Sequence, residues 1–166
     1  VLPMEVDGPG PDPIPLAEDA PLREKLYPYR TDPPRSSEDP ARWMDDYDKI
    51  LVERTALSCQ EMPGTVLRYP MVYGPGDRQH RMHEYLQRMI DGRPAIVVEE
   101  GLAAWRWTRA YVENVAHAAF LAVTREEAAG RTYNVGEVEA LSTAEWIAAI
   151  AKEVSWPGRL ITLPAE

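Results

Sequence analysis

His80 and His83 stand three residues apart, with Glu84 beside them. On a helix that spacing puts both imidazoles on one face, where they could supply two ligands of a metal ion. The sequence places no third strong ligand near them, so the expected state is an exposed polar face with no metal. His117, in an alanine-rich stretch, carries no stronger signal. Asp45, Asp46 and Asp48 concentrate negative charge but lack the glycine-turned spacing of a calcium loop, and a solvated helix face is expected for them. The glycine cluster Gly8-Pro9-Gly10-Pro11 has prolines where a phosphate cradle needs backbone donors, and no helix follows it. Met71, Trp105 and Trp107 are apolar enough to line a pocket for a weakly polar ligand or simply to pack.

Prolines dominate the first part of the chain, residues 1–38. There Pro9, Pro11, Pro13 and Pro15 alternate with other residues and forbid both helix and central strand. An irregular surface arm is expected, docked through Leu16, Leu22, Leu26, Tyr27 and Tyr29. Residues 39–166 read as α/β. Asp39-Pro40 supplies an N-cap and a first-turn proline, and Trp43, Tyr47, Ile50, Leu51, Ala56 and Leu57 fall on one stripe. They predict a helix of about six turns ending at Cys59 or Gln60. Pro63-Gly64 breaks it, and Thr65 to Tyr69 forms a short strand ending at Pro70.

Beyond the turn at Tyr73-Gly74-Pro75-Gly76-Asp77, Met82, Tyr85, Leu86, Met89 and Ile90 repeat at helical spacing up to Asp91-Gly92. Ala95 to Val98 reads as a strand, Trp105 to Tyr111 as an extended segment, and Val112 to Val123 as a helix. Thr132 to Val135 is a strand, Ser142-Thr143 caps a last helix running through Val154, and Leu160 to Leu163 is a final strand. Strands alternating with helices predict an α/β fold.

A chain of 166 residues that is 45% hydrophobic can bury one sizeable core. Its net charge of -9, without a long basic run, opposes a nucleic-acid partner, because phosphate contacts need clustered Lys and Arg. Cys59 is the single cysteine and cannot form an internal disulfide. No apolar run approaches the roughly 20 residues that span a bilayer, and no signal-peptide pattern opens the chain. A soluble cytoplasmic protein with no membrane partner is expected.

Several segments in order resemble one family. Tyr47-Asp48-Lys49-Ile50-Leu51-Val52-Glu53, followed by Leu67-Arg68-Tyr69-Pro70-Met71-Val72-Tyr73-Gly74-Pro75, resembles the active-site helix and next strand of extended short-chain dehydrogenases/reductases of the NAD-dependent epimerase/dehydratase type. Tyr111-Val112-Glu113-Asn114-Val115-Ala116 and Tyr133-Asn134-Val135-Gly136 look like two later landmarks, and Pro15 to Leu22 is similar to the loop before the active-site helix.

The resemblance implies the C-terminal part of a Rossmann-type NAD(P)-binding fold plus the small substrate-binding region, with NAD or NADP as cofactor. It also implies that the glycine-rich dinucleotide turn, and the catalytic Ser or Thr, precede Val1. The chain opens on Val1-Leu2-Pro3 rather than methionine, in keeping with a middle-to-C-terminal portion.

In that family a tyrosine four residues before a lysine shares a pocket with it. The lysine holds the nicotinamide ribose and lowers the tyrosine pKa so that the phenolate can take a substrate proton. Lys49 matches the lysine, Asp45 occupies the tyrosine's place, and the nearest tyrosine, Tyr47, would be turned about 200° from Lys49 on a helix. Lys49, Tyr47 and Asp45 are the catalytic candidates; Tyr47 also reads as a core residue, and Asp45 as a solvated carboxylate.

Lys49, Tyr69, Pro70 and Val72 match cofactor-side positions, and Met71, Tyr73, Trp107 and Arg109 substrate-side ones. Members acting on nucleotide sugars have Asn where Met71 stands and Arg near Trp107, so both departures weigh against such a substrate. Two functions follow: part of an NAD(P)-dependent epimerase, dehydratase or reductase acting on a small molecule and inactive alone, or a non-catalytic ligand-binding or assembly module of the same fold. The resemblance also implies a homodimer built through the active-site helix.

Overall fold

The computed structural model describes residues 16–165; the Gly8–Pro11 cluster and the alternating prolines lie outside them. The chain divides into two compact units. One comprises the chain up to Arg68 with Leu121–Asn134, and the other comprises Tyr69–Phe120 with Val135–Glu166.

In the first unit the described part of the arm, residues 16–38, has no regular helix or strand, and the long helix expected from Asp39 does not form. Arg42–Asp46 makes a short 3-10 turn, Tyr47 is extended (φ -87°, ψ 128°), and helix α1 runs only over Lys49–Ser58. The cause is competition for backbone N–H groups by Asp side chains, which favour caps over helix interiors. Asp39 Oδ1 accepts the Ala41 N–H at 2.7 Å, and Asp48, itself extended, accepts the Ile50 N–H at 2.9 Å as N-cap of α1. The aromatic part of the expected stripe, Trp43 and Tyr47, precedes α1 altogether. Strand β1 (Val66–Arg68) lies in this unit.

The strand expected from Thr65 stops before Pro70, with β1 ending at Arg68, and a further strand that the residue pattern did not indicate, β2 (Met71–Tyr73), starts after it in the second unit. A residue without an N–H cannot continue a ladder, and the two strands take different partners. Helix α2 (His83–Ile90) and strand β3 (Ala95–Glu99) come next. An unexpected short helix α3 (Glu100–Ala104) follows, because the Glu99 carboxylate accepts from the Gly101 and Leu102 N–H groups and caps it. The extended segment expected from Trp105 is thus regular strand only at β4 (Arg109–Tyr111), preceded by an isolated antiparallel bridge from Arg106 to Ser142.

Helix α4 (Val112–Thr124), strand β5 (Thr132–Asn134), helix α5 (Thr143–Glu153) and strand β6 (Arg159–Leu163) complete the order. All the paired strands are parallel: β1 with β5, β2 with β4, and β3 with β6. This parallel α/β architecture is the one expected from the alternating pattern.

The core of the second unit centres on Ile147, fully buried on α5, with Met89, Ile96, Val98, Ala103, Trp146 and Ile150 around it. A capping box fixes the start of α5. The Ser142 hydroxyl accepts the Glu145 N–H at 3.1 Å, and the Glu145 carboxylate accepts the Ser142 N–H at 2.7 Å. Among the described residues, no helix is long and apolar enough to cross a membrane.

Candidate functional site

In the first unit, Lys49 is the first residue of α1 and is exposed. The two aspartates before it are committed to the arm. Asp48 is 2% exposed; besides capping α1 it accepts the Tyr27 N–H at 2.6 Å and the Arg23 guanidinium at 2.6 Å. Burial opposes its ionisation, but hydrogen bonds from Arg23, Tyr27 and Ile50 hold its pKa below the ordinary carboxylate value.

Asp45, expected to be solvated, has no exposed surface. Its carboxylate accepts the Arg35 N–H at 2.8 Å and is ion-paired to the Arg35 guanidinium, while its carbonyl accepts from Arg30 Nε at 2.9 Å. Burial again pushes against the charge, and the bonds from Arg35 outweigh it and lower the pKa. Of the three acidic residues expected on a solvated helix face, only Asp46 is exposed. Tyr47 is half-buried in an aromatic cluster, its ring 6.3 Å from Tyr29 and 5.6 Å edge-on from Trp43. The arm arginines that claim these carboxylates, Arg23 and Arg35, went unnoticed in the sequence. Their signal was charge complementarity: a basic series on the arm opposite the acidic run at 45–48.

In the second unit, register pairs Met71 with Arg109 and Tyr73 with Tyr111, so these four share one face of the β2–β4 pair, and Val72 and Ala110 take the other. The Tyr73 hydroxyl donates to Glu137 at 2.7 Å. Burial, then the Glu137 carboxylate, push the Tyr73 phenol up to about 12, so it remains a neutral donor at physiological pH. Glu137 is a partner that sequence reasoning missed, and the turn glycine before it is the only local hint.

Arg109 is 4% exposed. It donates to the carbonyls of Trp107 at 3.0 Å and Leu141 at 3.1 Å, and its guanidinium carbon lies 4.6 Å over the Trp146 ring. Among the described residues its Nε has no hydrogen-bond partner and no carboxylate forms an ion pair with it. Burial lowers its pKa, and the nearby Glu137 acts in the opposite direction. Trp107 stacks on Trp105 with ring centroids 4.9 Å apart.

Tyr69 is exposed; Pro70, Met71 and Val72 are half-buried. Val72 and Tyr73 open into a cavity of about 300 Å³ at the end of β2, walled by the turn from Gly74 to Arg81 and by Val112. Gly74 sits at φ +124°, where a Cβ would lie 2.8 Å from the Tyr111 ring, so no other residue fits that turn. Asp77 and Arg81 lock the turn: their side chains pair at 2.6 Å, and Arg81 also donates to the Val72 carbonyl at 3.0 Å.

The substrate-side candidates Met71, Tyr73 and Arg109 are therefore brought together. Lys49, Tyr47 and Asp45 lie in the other unit, with the cofactor-side candidates Tyr69, Pro70 and Val72 outside it. Among the described residues, no group of three or more His, Cys, Asp and Glu side chains is placed to hold a metal ion; the His80 and His83 rings are 6.2 Å apart and exposed.

The fold is shared with solved structures of low sequence identity. Epimerase Mth375 from Methanothermobacter thermautotrophicus is 17% identical with a TM-score of 0.60, over 93% of this chain and 43% of that one. A dTDP-glucose 4,6-dehydratase from Bacillus anthracis, solved with NAD, is 14% identical with a TM-score of 0.58, over 91% of this chain and 44% of that one. UDP-glucuronic acid 4-epimerase from Bacillus cereus, solved with UDP-glucuronic acid and NAD, is 20% identical with a TM-score of 0.55, over 78% and 43%.

This chain thus spans less than half the length of each of these proteins. No curated protein matches the sequence. The family model for the NAD dependent epimerase/dehydratase family matches residues 24–136, which take in α1, the β1–β2 segment, β4 and β5. With the parallel α/β fold in place and most of its length matched, the chain belongs to the NAD dependent epimerase/dehydratase family.

Proposed function

We propose that this chain is a portion of an NAD(P)-dependent epimerase/dehydratase/reductase-like protein that keeps the dinucleotide-holding lysine, Lys49, lacks the regular tyrosine–lysine proton-transfer pair, and has no turnover alone. The observation that carries this reading is the state of Asp45. It stands four residues before Lys49, where the family resemblance places the tyrosine, and its carboxylate is buried and bound by Arg35. A carboxylate so held stays ionised, has no proton to give, and is a poor base for an alcohol. Tyr47 is likewise occupied, as a packing ring between Tyr29 and Trp43.

Lys49 fits its part of a dinucleotide site: it is exposed, and among the described residues it makes no ion pair, so its ammonium is free to hold ribose hydroxyls. A bound nicotinamide would supply the hydride donor or acceptor. Met71, Tyr73 and Arg109 form the substrate side, where Tyr73 offers a neutral hydroxyl rather than a base. The engagement of Asp45 and Tyr47 favours a second reading over turnover even in the longer protein, namely a non-catalytic dinucleotide- or ligand-binding or assembly module. A homodimer through α1, whose Val52 and Leu57 are exposed, belongs to the same proposal.

The expected result is that the chain produces no hydride transfer, followed by NADH or NADPH absorbance, with small alcohols, ketones or nucleotide sugars. A rate above background that is abolished in Lys49→Ala would overturn the reading.

A further inference from the structure

We infer that the cavity at the carboxyl end of β2 binds a short-chain monocarboxylate, with Arg78 meeting the carboxylate and Val72, Pro75 and Val112 receiving the apolar tail. The inference rests on the ligand-binding reading, for which it names a class of ligand, and it needs neither Lys49 nor a dinucleotide.

The cavity, of about 300 Å³, lies wholly within the second unit. It stands where the parallel strands β2 and β4 end, at Tyr73 and Tyr111. The crevice outside the carboxyl ends of parallel strands is the usual place for a ligand in an α/β fold. Ligand pockets run from roughly 300 to 1,000 Å³, so this one suits a small molecule and is too small for a nucleotide sugar.

The wall is held in place without a ligand. Asp77 accepts the N–H groups of Gln79 at 3.0 Å and Arg81 at 3.1 Å, and it pairs with the Arg81 guanidinium. Arg81 in turn donates to the Val72 carbonyl, which ties the turn to β2. Gly74 lies so close to Tyr111 and Val112 that a Cβ there would strike both. A pre-formed site loses little freedom when it binds.

The charges in the wall favour an acid. Asp77 and Arg81 satisfy each other, whereas among the described residues Arg78 makes no side-chain hydrogen bond and no ion pair. Arg78 is exposed, and so is Gln79 beside it. A guanidinium fork, the group that matches a carboxylate with two parallel bonds, is thus left without a partner, and no unpaired carboxylate in the wall opposes an acid. The cavity of the first unit differs: its wall sets two carboxylates, Glu18 and Asp19, against the single guanidinium of Arg131.

The rest of the wall selects among acids. Val72, Pro75 and Val112 gain from covering a hydrocarbon tail and offer nothing to sugar hydroxyls or to the oxygens of a bare phosphate. At Gly76, nothing lies within 4 Å of where a Cβ would stand, so the approach to the turn is open.

The test is titration of the chain with butanoate, followed by the backbone amide resonances of Gly74 and Gly76. Saturable shifts are expected at both, with the amide of Ile147 in the core unmoved. Arg78→Gln should weaken binding about tenfold or more, the scale of a hydrogen bond to a charged group, and Arg78→Lys should retain part of it. Because Arg78 is exposed, thermal unfolding should be unchanged in both variants. Butan-1-ol, which lacks the charge, and inorganic phosphate, which lacks the tail, should each bind about tenfold more weakly than butanoate or worse.

No saturable shift with butanoate, the same affinity in Arg78→Gln, or equal binding of butan-1-ol or of inorganic phosphate would each overturn the inference. The titration contains no dinucleotide. Its failure would leave the Lys49 reading standing, and failure of dinucleotide binding would leave this site standing.

Discussion

Asp48→Ala should cost about 2 to 4 kcal/mol of stability and free the arm from the start of α1. Asp48 caps α1 through the Ile50 N–H and at the same time holds Tyr27 and Arg23 of the arm. Removing it loses the cap, worth about 1 kcal/mol, and leaves the Arg23 guanidinium, only 15% exposed, without its partner. Asp48→Asn separates the two effects: it keeps a good capping oxygen but loses the charge, so its loss should be smaller. Denaturant unfolding gives the energies, and limited trypsin digestion at Arg23, Arg30 and Arg35 reports release of the arm. Equal stability and equal digestion in wild type and Asp48→Ala would mean that the arm is not held by this carboxylate.

The same contacts set a pH dependence. The folded-state pKa values of Asp45 and Asp48 are both lowered, so the stabilisation they provide is complete above the unfolded-state value, near 3.8. It is lost as pH falls through the lower folded-state values, so these pairs weaken in strong acid and not around neutrality.

The second large effect belongs to the other unit. Ile147→Ala should cost about 2 to 5 kcal/mol, because it opens a cavity at a position with no exposed surface, at the centre of a cluster drawn from α2, β3, α3 and α5. Ile147→Val removes a single methylene and should cost only about 0.5 to 1.5 kcal/mol. Against a total stability of about 5 to 15 kcal/mol, the alanine variant approaches the limit of a folded unit. Denaturant unfolding followed by the near-UV signal of the aromatic side chains, Trp146 beside Ile147 among them, measures both substitutions. Similar small losses for the two would show that the core relaxes around the missing volume.

These two sites mark the limits of what the sequence discloses. The last helix was legible because its start signal is local, the cap at Ser142-Thr143, which the structure completes as a capping box with Glu145. Helix α1 was misread because the Asp48 carboxylate that caps it locally, and the Asp45 carboxylate before it, are held in place by distant partners. Arg23 lies 25 positions from Asp48 and Arg35 lies 10 from Asp45, and a periodicity count cannot register either.

Pro70 was read correctly as a break, but its consequence, two strands with different parallel partners, depends on β4 and β5 far along the chain. The same limit holds at the candidate site. Met71, Tyr73 and Arg109 were picked out by resemblance, whereas the residues that define their chemistry, Glu137 and Trp146, reach them only through the fold. Resemblance also located Lys49 and the displaced tyrosine, and it was the arm that decided what Asp45 does.

The most direct test of the central claim is calorimetric titration of NAD(H) and NADP(H) into this chain and into the longest product its gene encodes, each as wild type and as Lys49→Ala. Binding by the longer product that Lys49→Ala weakens, with none by this chain alone, is the predicted result. No binding by either, or binding that Lys49→Ala leaves unchanged, would contradict the account and remove the dinucleotide from the function of this protein.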